Sequence, residues 1–218
     1  MPKPTFIVID GPGAVGKSVI GNLLAQGLGY RFFDTGAMYR ALTWLALELG
    51  FELQDENALA ELALGTNIEL APGIVLVDGR DVTRNIHSER VEGEVSLVAK
   101  VAGVRHTLVA RQRQMAQGGK VVMAGRDIGT VVLPDAELKI YLAASTEERA
   151  RRRYSEIIRE GKQANYDKIL AELRDRDKLD SERALAPLKP APDAKVIDTD
   201  GLGIEQVLAE IMSLIEDC

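Results

Sequence analysis

The chain of 218 residues holds a single cysteine, Cys218, and only two histidines. One thiol excludes an intramolecular disulfide and a thiolate metal site, and such sparing use suits a reducing compartment. Cys218 also lacks the three following residues of a prenylation box, so it is expected to be chemically idle. His87 and His106 stand well apart with no cysteine near either, and no metal centre is expected from them. No apolar run is long enough to cross a bilayer. Glu48 and Arg40 interrupt the stretch around Trp44–Leu49, and Thr5–Ile9 is too short for the core of a signal peptide. Positive charge is not in excess either: 27 Lys and Arg against 33 Asp and Glu leave a net charge of −6. That balance disfavours a surface that coats nucleic acid, while still allowing a local phosphate site. A composition of 46% hydrophobic and 28% charged residues is ordinary for a globular chain and excludes disorder as the main state. The expectation is a cytoplasmic protein with no membrane and no nucleic-acid partner. Monomer is the default, because nothing argues for an oligomer.

The length suits one domain carrying a sizeable insertion. Thr5–Ile9 reads as a buried strand stopped by Asp10-Gly-Pro-Gly. Lys17–Leu28 follows with apolar positions at helical spacing and Gly29 at its end. Tyr30–Phe33 is a second strand, and Gly36–Leu49 and Asp55–Leu64 are helices. The texture then changes. Asn67–Leu70, Ile74–Val77 and Asp81–Thr83 are short strands separated by Pro72-Gly73 and Asp78-Gly79, which marks 65–90 as an inserted β patch. Val91–Gln117 reads as two helices broken near Ala102-Gly103. Val121–Ala124 and Leu138–Ala143 are strands, the second followed by the capping-box pattern Ser145-Thr-Glu-Glu148. Two charged helices flank a loop at Gly161–Asn165, and Val196-Ile197 and Ile204–Ile215 close the chain as strand and helix. Apolar strands alternating with helices imply an α/β fold with a mostly parallel sheet covered on both faces.

Gly11-Pro-Gly-Ala-Val-Gly-Lys-Ser18 fits the phosphate-loop pattern G-x-x-x-x-G-K-[ST] without a mismatch, between the first strand and the first helix. Gly11, Pro12, Gly13, Ala14, Val15 and Gly16 wrap backbone amides around an oligophosphate. Lys17 would reach the β- and γ-phosphates and Ser18 would offer a hydroxyl to Mg²⁺, with a plain glycine turn and a surface lysine as the competing reading. The loop alone names no reaction. The absence of an Asn-Lys-x-Asp guanine reader disfavours a switch GTPase, and translocating ATPases generally need more chain, which leaves the small kinases in front.

Such a kinase needs a second substrate beside the γ-phosphate. Tyr39 and Arg40 fall on the first turns of a helix, where an anion is favoured; spacing equally serves a core tyrosine and a solvated arginine. Arg126 and Asp127 follow the strand Val121–Ala124, where an open α/β sheet lines its ligand crevice, with a plain loop ion pair as the competing reading. Arg149, Arg152 and Arg153 share one helix face, which suits either an anion or a solvated surface balanced by Glu147, Glu148 and Glu156. Arg174–Arg183 is another charged run open to both readings. The loop 161–165 suits a lid that excludes water from the transferred phosphoryl group.

Taken together, these stretches resemble the bacterial cytidylate kinases, a family of P-loop nucleoside-monophosphate kinases, along nearly the whole chain. The resemblance is carried by Asp34-Thr-Gly-Ala-Met-Tyr-Arg40 and Gly125-Arg-Asp-Ile-Gly-Thr-Val-Val-Leu-Pro-Asp135. Arg174–Asp177 and Arg183-Ala-Leu-Ala-Pro-Leu188 add to it. It implies one P-loop kinase domain over 1–218, with a monophosphate-binding region near 36–103 and a lid near 149–183. It implies ATP with Mg²⁺ as phosphoryl donor and CMP or dCMP as acceptor. Thr35, Tyr39, Arg40, Arg126 and Arg176 would surround the monophosphate. Ser96, Arg105 and Asp127 would face the base, and Asp180 and Arg183 the sugar. Arg149, Arg152 and Arg153 would belong to the lid, and Lys17, Arg126, Arg152 and Arg176 would serve the transfer. Gly13-Ala14-Val15 stands where the family usually shows Ser-Gly-Ala, and Val19 where Thr is common, so altered ATP affinity is expected. Leu179 and Ser181 stand where some members carry arginine. Other acceptors (UMP, AMP, shikimate) and a non-catalytic nucleotide-binding regulator are the competing readings.

Overall fold

A computed structural model describes residues 3–216, so Cys218 lies outside the described residues. The chain opens with β1 (Phe6–Asp10), α1 (Lys17–Leu28), β2 (Arg31–Asp34), α2 (Thr35–Glu48) and α3 (Glu56–Gly65). β3 (Ile68–Ala71), β4 (Ile74–Val77) and β5 (Arg80–Asp81) come next, followed by α4 (Glu89–Ala99) and α5 (Ala102–Ala116). It closes with β6 (Val121–Gly125), β7 (Leu138–Ala143), α6 (Thr146–Arg159), α7 (Tyr166–Glu182), β8 (Lys195–Asp198) and α8 (Ile204–Glu216). Two compact units result: one runs through Phe32 and resumes at Gly118, and the other is Phe33–Gln117.

The sheet of the first unit has the order β2-β6-β1-β7-β8, with β1 parallel to both β6 and β7, and β8 parallel to β7. Ile7, Val8 and Ile9 are fully buried, as are Val121, Val122 and Met123. Unbroken apolar runs of this kind belong to strands covered on both faces. Ile20 and Leu24 of α1, with Val207, Ile211 and Ile215 of α8, pack with Ile7, Ile9, Val122 and Ile140. The 207, 211, 215 spacing is the i, i+4 stripe of a helix facing a core. Register places Asp10, at the end of β1, opposite Gly125 on one side and Tyr141 on the other. The loops that follow β1 and β6 therefore leave the sheet together, at the edge where open α/β folds take their ligands. Ile128–Val132 coils into one π-type turn that sequence reading did not anticipate.

In the second unit, Met38, Leu42, Leu59, Val98, Val104 and Leu108 form the core, and β3, β4 and β5 make a separate antiparallel sheet. The third of these strands was expected at 81–83 but ends at Asp81. Thr83 turns away because its amide and hydroxyl both donate to the Asp81 carboxylate, while its hydroxyl accepts from the Val75 amide. The helix break falls at 100–101, two residues earlier than expected. Gly103 lies inside α5, and a Cβ there would stand 2.4 Å from that of Ala60, so this glycine allows α5 to approach α3 closely. The first of the pair also begins earlier than expected, at Glu89, with Ser88 capping the Val91 amide.

Candidate active site

Gly11 leaves β1 with φ +150, and a Cβ at this position would meet the Leu142 carbonyl oxygen at 2.3 Å. Only glycine lets the chain turn here against β7. Ala14 follows in the left-handed region at φ 58, and Gly16 caps α1 at φ 100. Ala14 and Ser18 are exposed, whereas Gly11, Pro12, Gly13, Val15 and Lys17 are buried. The Lys17 ammonium curls over the loop and donates to the Pro12 carbonyl at 2.6 Å. The positive N-terminal end of α1 points into the same loop, a setting suited to phosphate.

Arginines press on this loop from α6. Arg149, almost fully buried, donates to the Gly13 carbonyl at 3.1 Å and grips both oxygens of Asp177 on α7. Arg152 reaches the Val15 carbonyl at 3.4 Å and the Thr199 hydroxyl and carbonyl beyond β8. Arg153, by contrast, pairs with Glu156 of its own helix at 2.7 Å. The three arginines expected on one face thus divide: two hold the loop and one lies along α6. Ser145 caps the Glu148 amide, but its own amide donates to Asp200, so only half of the expected capping box forms.

A second cluster also meets the loop at Gly13. A Cβ on Gly13 would lie 3.5 Å from Arg126 Nη2 and 3.8 Å from Arg176 Cδ. Arg126 donates to Asp180 at 3.0 Å, and Arg183 faces buried Asp127 at 3.6 Å. Burial opposes the charge on Asp180, but Arg126, Arg176 and Arg183 outweigh it and hold the carboxyl below its ordinary range. Asp177 and Thr199 are tied to the loop through Arg149 and Arg152, and Asp10 takes the amides of Ile128 and Gly129, although sequence reading singled out none of the three. For Asp10 a signal existed, a carboxylate ending an apolar strand just before the loop. For Thr199 there was none.

In the second unit, Asp34 caps α2 through the Gly36 amide at 2.9 Å and also accepts from Arg40 at 3.1 Å. Glu92 of α4 stands 3.8 Å from Arg40 Nε, so this guanidinium lies between two carboxylates rather than on a solvated face. The buried Tyr39 ring carries the Arg105 guanidinium 5.9 Å from its centre, and Arg105 donates to the Ala99 carbonyl at 3.3 Å. Thr35 and Ser96 are buried on α2 and α4. A buried arginine on an aromatic ring, beside a helix N-terminus bearing a second arginine, is equipped for a polar anionic ligand.

Among the described residues no helix is long and apolar enough to cross a membrane, and no group of three or more His, Cys, Asp or Glu gathers for a metal. The fold is shared with a gluconokinase from Sinorhizobium meliloti at a TM-score of 0.53 and 15% identity, over 100% of this chain and 97% of that one. Residues 7–217 match the family model described as cytidylate kinase. The cytidylate kinase of Geobacillus kaustophilus is 52% identical over 100% of this chain and 99% of its own length. That of Bacillus subtilis is 48% identical over 99% and 98%. Agreement of this extent, reaching from β1 to the last helix, leaves one conclusion: the chain belongs to the cytidylate kinase family.

Proposed function

We propose that this enzyme transfers the γ-phosphoryl group of ATP to CMP or dCMP, giving ADP and CDP or dCDP. The observation that carries the reading is the crowding of Arg126 and Arg176 against Gly13 of the phosphate loop. Basic groups so close to a loop that already has Lys17 answer the phosphate of a second ligand.

An acceptor phosphate oxygen attacks the γ-phosphorus in line, and the bond to the β–γ bridging oxygen breaks as the new bond forms. The acceptor phosphate is already ionised, so no obligatory general base is needed; positioning and charge neutralisation carry the step. Gly11–Ser18 cradle the ATP phosphates, with Lys17 on the β- and γ-oxygens. Arg149 and Arg153 serve the ATP side, and Arg152 and Arg176 neutralise charge on the group in flight. Thr35, Tyr39, Arg40 and Arg126 take the monophosphate, and Asp180 and Arg183 take the sugar. Ser96, Arg105 and Asp127 read the base: cytosine offers an N4 amine to a carboxylate, whereas uracil presents O4 and leaves Asp127 unanswered. The 36–103 region holds the acceptor, and the 149–183 arm closes as a lid that excludes water. The work is done in the cytoplasm.

Ser18 is exposed beside Lys17 at the start of α1 and brings one hard oxygen. Mg²⁺ takes few protein ligands and prefers phosphate and water oxygens, so this donor set fits it. Ser18 would hold the ion, which when bound neutralises the β- and γ-phosphates.

The test is ADP release from Mg-ATP with CMP, dCMP, UMP, AMP, GMP or shikimate as acceptor. CMP and dCMP are expected to be preferred. A preference for UMP or AMP overturns the base reading, and no acceptor-dependent turnover favours a regulatory nucleotide binder.

A further inference from the structure

Arg126 and Asp127, the two acceptor-site residues offered by the end of β6, stand on a very short piece of chain. Gly125 anchors its near side by pairing in register with Asp10 across the two strands. Ile128 and Gly129 anchor its far side, their amides donating to the two oxygens of the Asp10 carboxylate at 2.9 and 2.8 Å. A single residue thus holds both flanks of Arg126–Asp127, by its strand register on one side and by its side chain on the other.

Only a carboxylate serves both amides. An asparagine brings one acceptor oxygen and turns a donor toward the second amide. The ionised group is held there at a cost, because Asp10 is only 3% exposed. Burial, helped by the charge of Asp127, raises its pKa to about 6 against the pull of the two amides and Lys17. Tyr141, in register with Asp10 on β7, is uncharged at neutral pH, since burial pushes its phenol up further. Lys139 of the same strand gives its ammonium to Asp193 and the Pro134 carbonyl. A carboxylate kept ionised against burial, at a turn that a neutral residue would leave half-bonded, trades stability for geometry.

We propose that Asp10 is a positioning residue of the acceptor site: it sets the backbone from which Arg126 and Asp127 meet the monophosphate and the base, and touches neither nucleotide itself. The inference rests on the acceptor roles proposed above for those two residues.

The experiment compares the full chain with its Asp10→Asn variant, varying CMP, UMP and ATP in turn between pH 5 and 8.5. A small displacement of two reacting contacts is expected to lower kcat/KM for CMP about tenfold or more, while the KM for ATP moves by less than about twofold. The preference for CMP over UMP narrows. The ratio of wild-type to variant kcat/KM falls toward one as pH drops through about 6, because protonated Asp10 loses its second acceptor. Taking that ratio cancels the titration of the CMP phosphate itself, which lies in the same range. Should the variant not fold, the wild-type protein decides: the Ile128 and Gly129 amide signals, followed by NMR, titrate together near pH 6. Equal losses toward ATP and CMP overturn the inference, as do a lower melting temperature with unchanged kinetics, or two amides that ignore pH. Failure of the acceptor reading is seen separately, as a wild-type enzyme with no preference for CMP.

Discussion

Arg126 donates through Nε to the Asp180 carboxylate at 3.0 Å, joining the turn after β6 to the last turn of α7 across 54 positions of sequence. Asp180 also answers the charges of Arg176 and Arg183, so Asp180→Asn leaves three guanidinium groups gathered without their shared anion. The expected loss of stability is about 2 kcal/mol, the scale of a buried hydrogen bond to a charged group. The carboxyl titrates below its ordinary value in the fold. Its contribution is therefore complete above the unfolded value of 3.8 and is lost only as pH falls through the lower folded value. Urea denaturation at pH 5 and at pH 8 should give the same gap between wild type and variant. A gap that shrinks between those two values contradicts the assignment. Added sulfate should restore the variant more than the wild type, because an anion replaces the missing charge.

Lys17 is buried, with its ammonium 2.6 Å from the Pro12 carbonyl. An ammonium is a compact point charge on a flexible stem, which a planar guanidinium fork does not reproduce. Lys17→Ala is expected to lower kcat by about 10²- to 10³-fold, the scale for removing one pre-aimed donor, with the fold intact by circular dichroism. Lys17→Arg is expected to fail nearly as badly. An arginine variant with near-normal turnover would mean that the ammonium does not work from this position.

Arg149 ties two elements to the loop at once, holding the Gly13 carbonyl and the Asp177 carboxylate. Its side chain is 3% exposed, so the pair is poorly screened by salt. A double-mutant cycle of Arg149→Met and Asp177→Asn, read by ATP binding calorimetry, should return a coupling of about 1–3 kcal/mol. Raising salt from low to physiological strength should barely change it. Additive losses would show that Asp177 does not act through Arg149.

Asp127 is buried and faces Arg183. Asp127→Asn replaces an acceptor pair with an amide that can turn either its oxygen or its NH₂ toward a base. The ratio of kcat/KM for CMP to that for UMP is expected to narrow by about tenfold or more, since the wild-type site leaves a buried group unpaired against uracil. If both substrates lose rate equally, Asp127 supports the site without reading the base.

The phosphate loop was legible because everything that makes it is local. A strand, a glycine turn and a helix start lie within one short segment, and each has its own signature in neighbouring residues. The place of Arg126 at the carboxyl end of the sheet was legible for the same reason, since it follows a strand end directly. The partners of these groups were not legible. Nothing near Arg149 in sequence points to Asp177, and nothing near Asp10 announces that its carboxylate will take the Ile128 and Gly129 amides. The three arginines of α6 looked equivalent by helical spacing, yet Arg149 and Arg152 meet the loop while Arg153 turns to Glu156. Gly103 read as a break and proved to be a point of close helix contact.

A net charge of −6 says what the surface averages to, and the motif says where a glycine loop joins the first strand to the first helix. Both follow from residue types and short spacings, because backbone periodicity, turn chemistry and a helix N-terminus act over a few residues. Which carboxylate holds which arginine was decided by the packing of β1 beside β6 and of α6 against α7. Ion pairs and buried hydrogen bonds act over a few ångströms, and the groups that meet at that range come from distant parts of the chain.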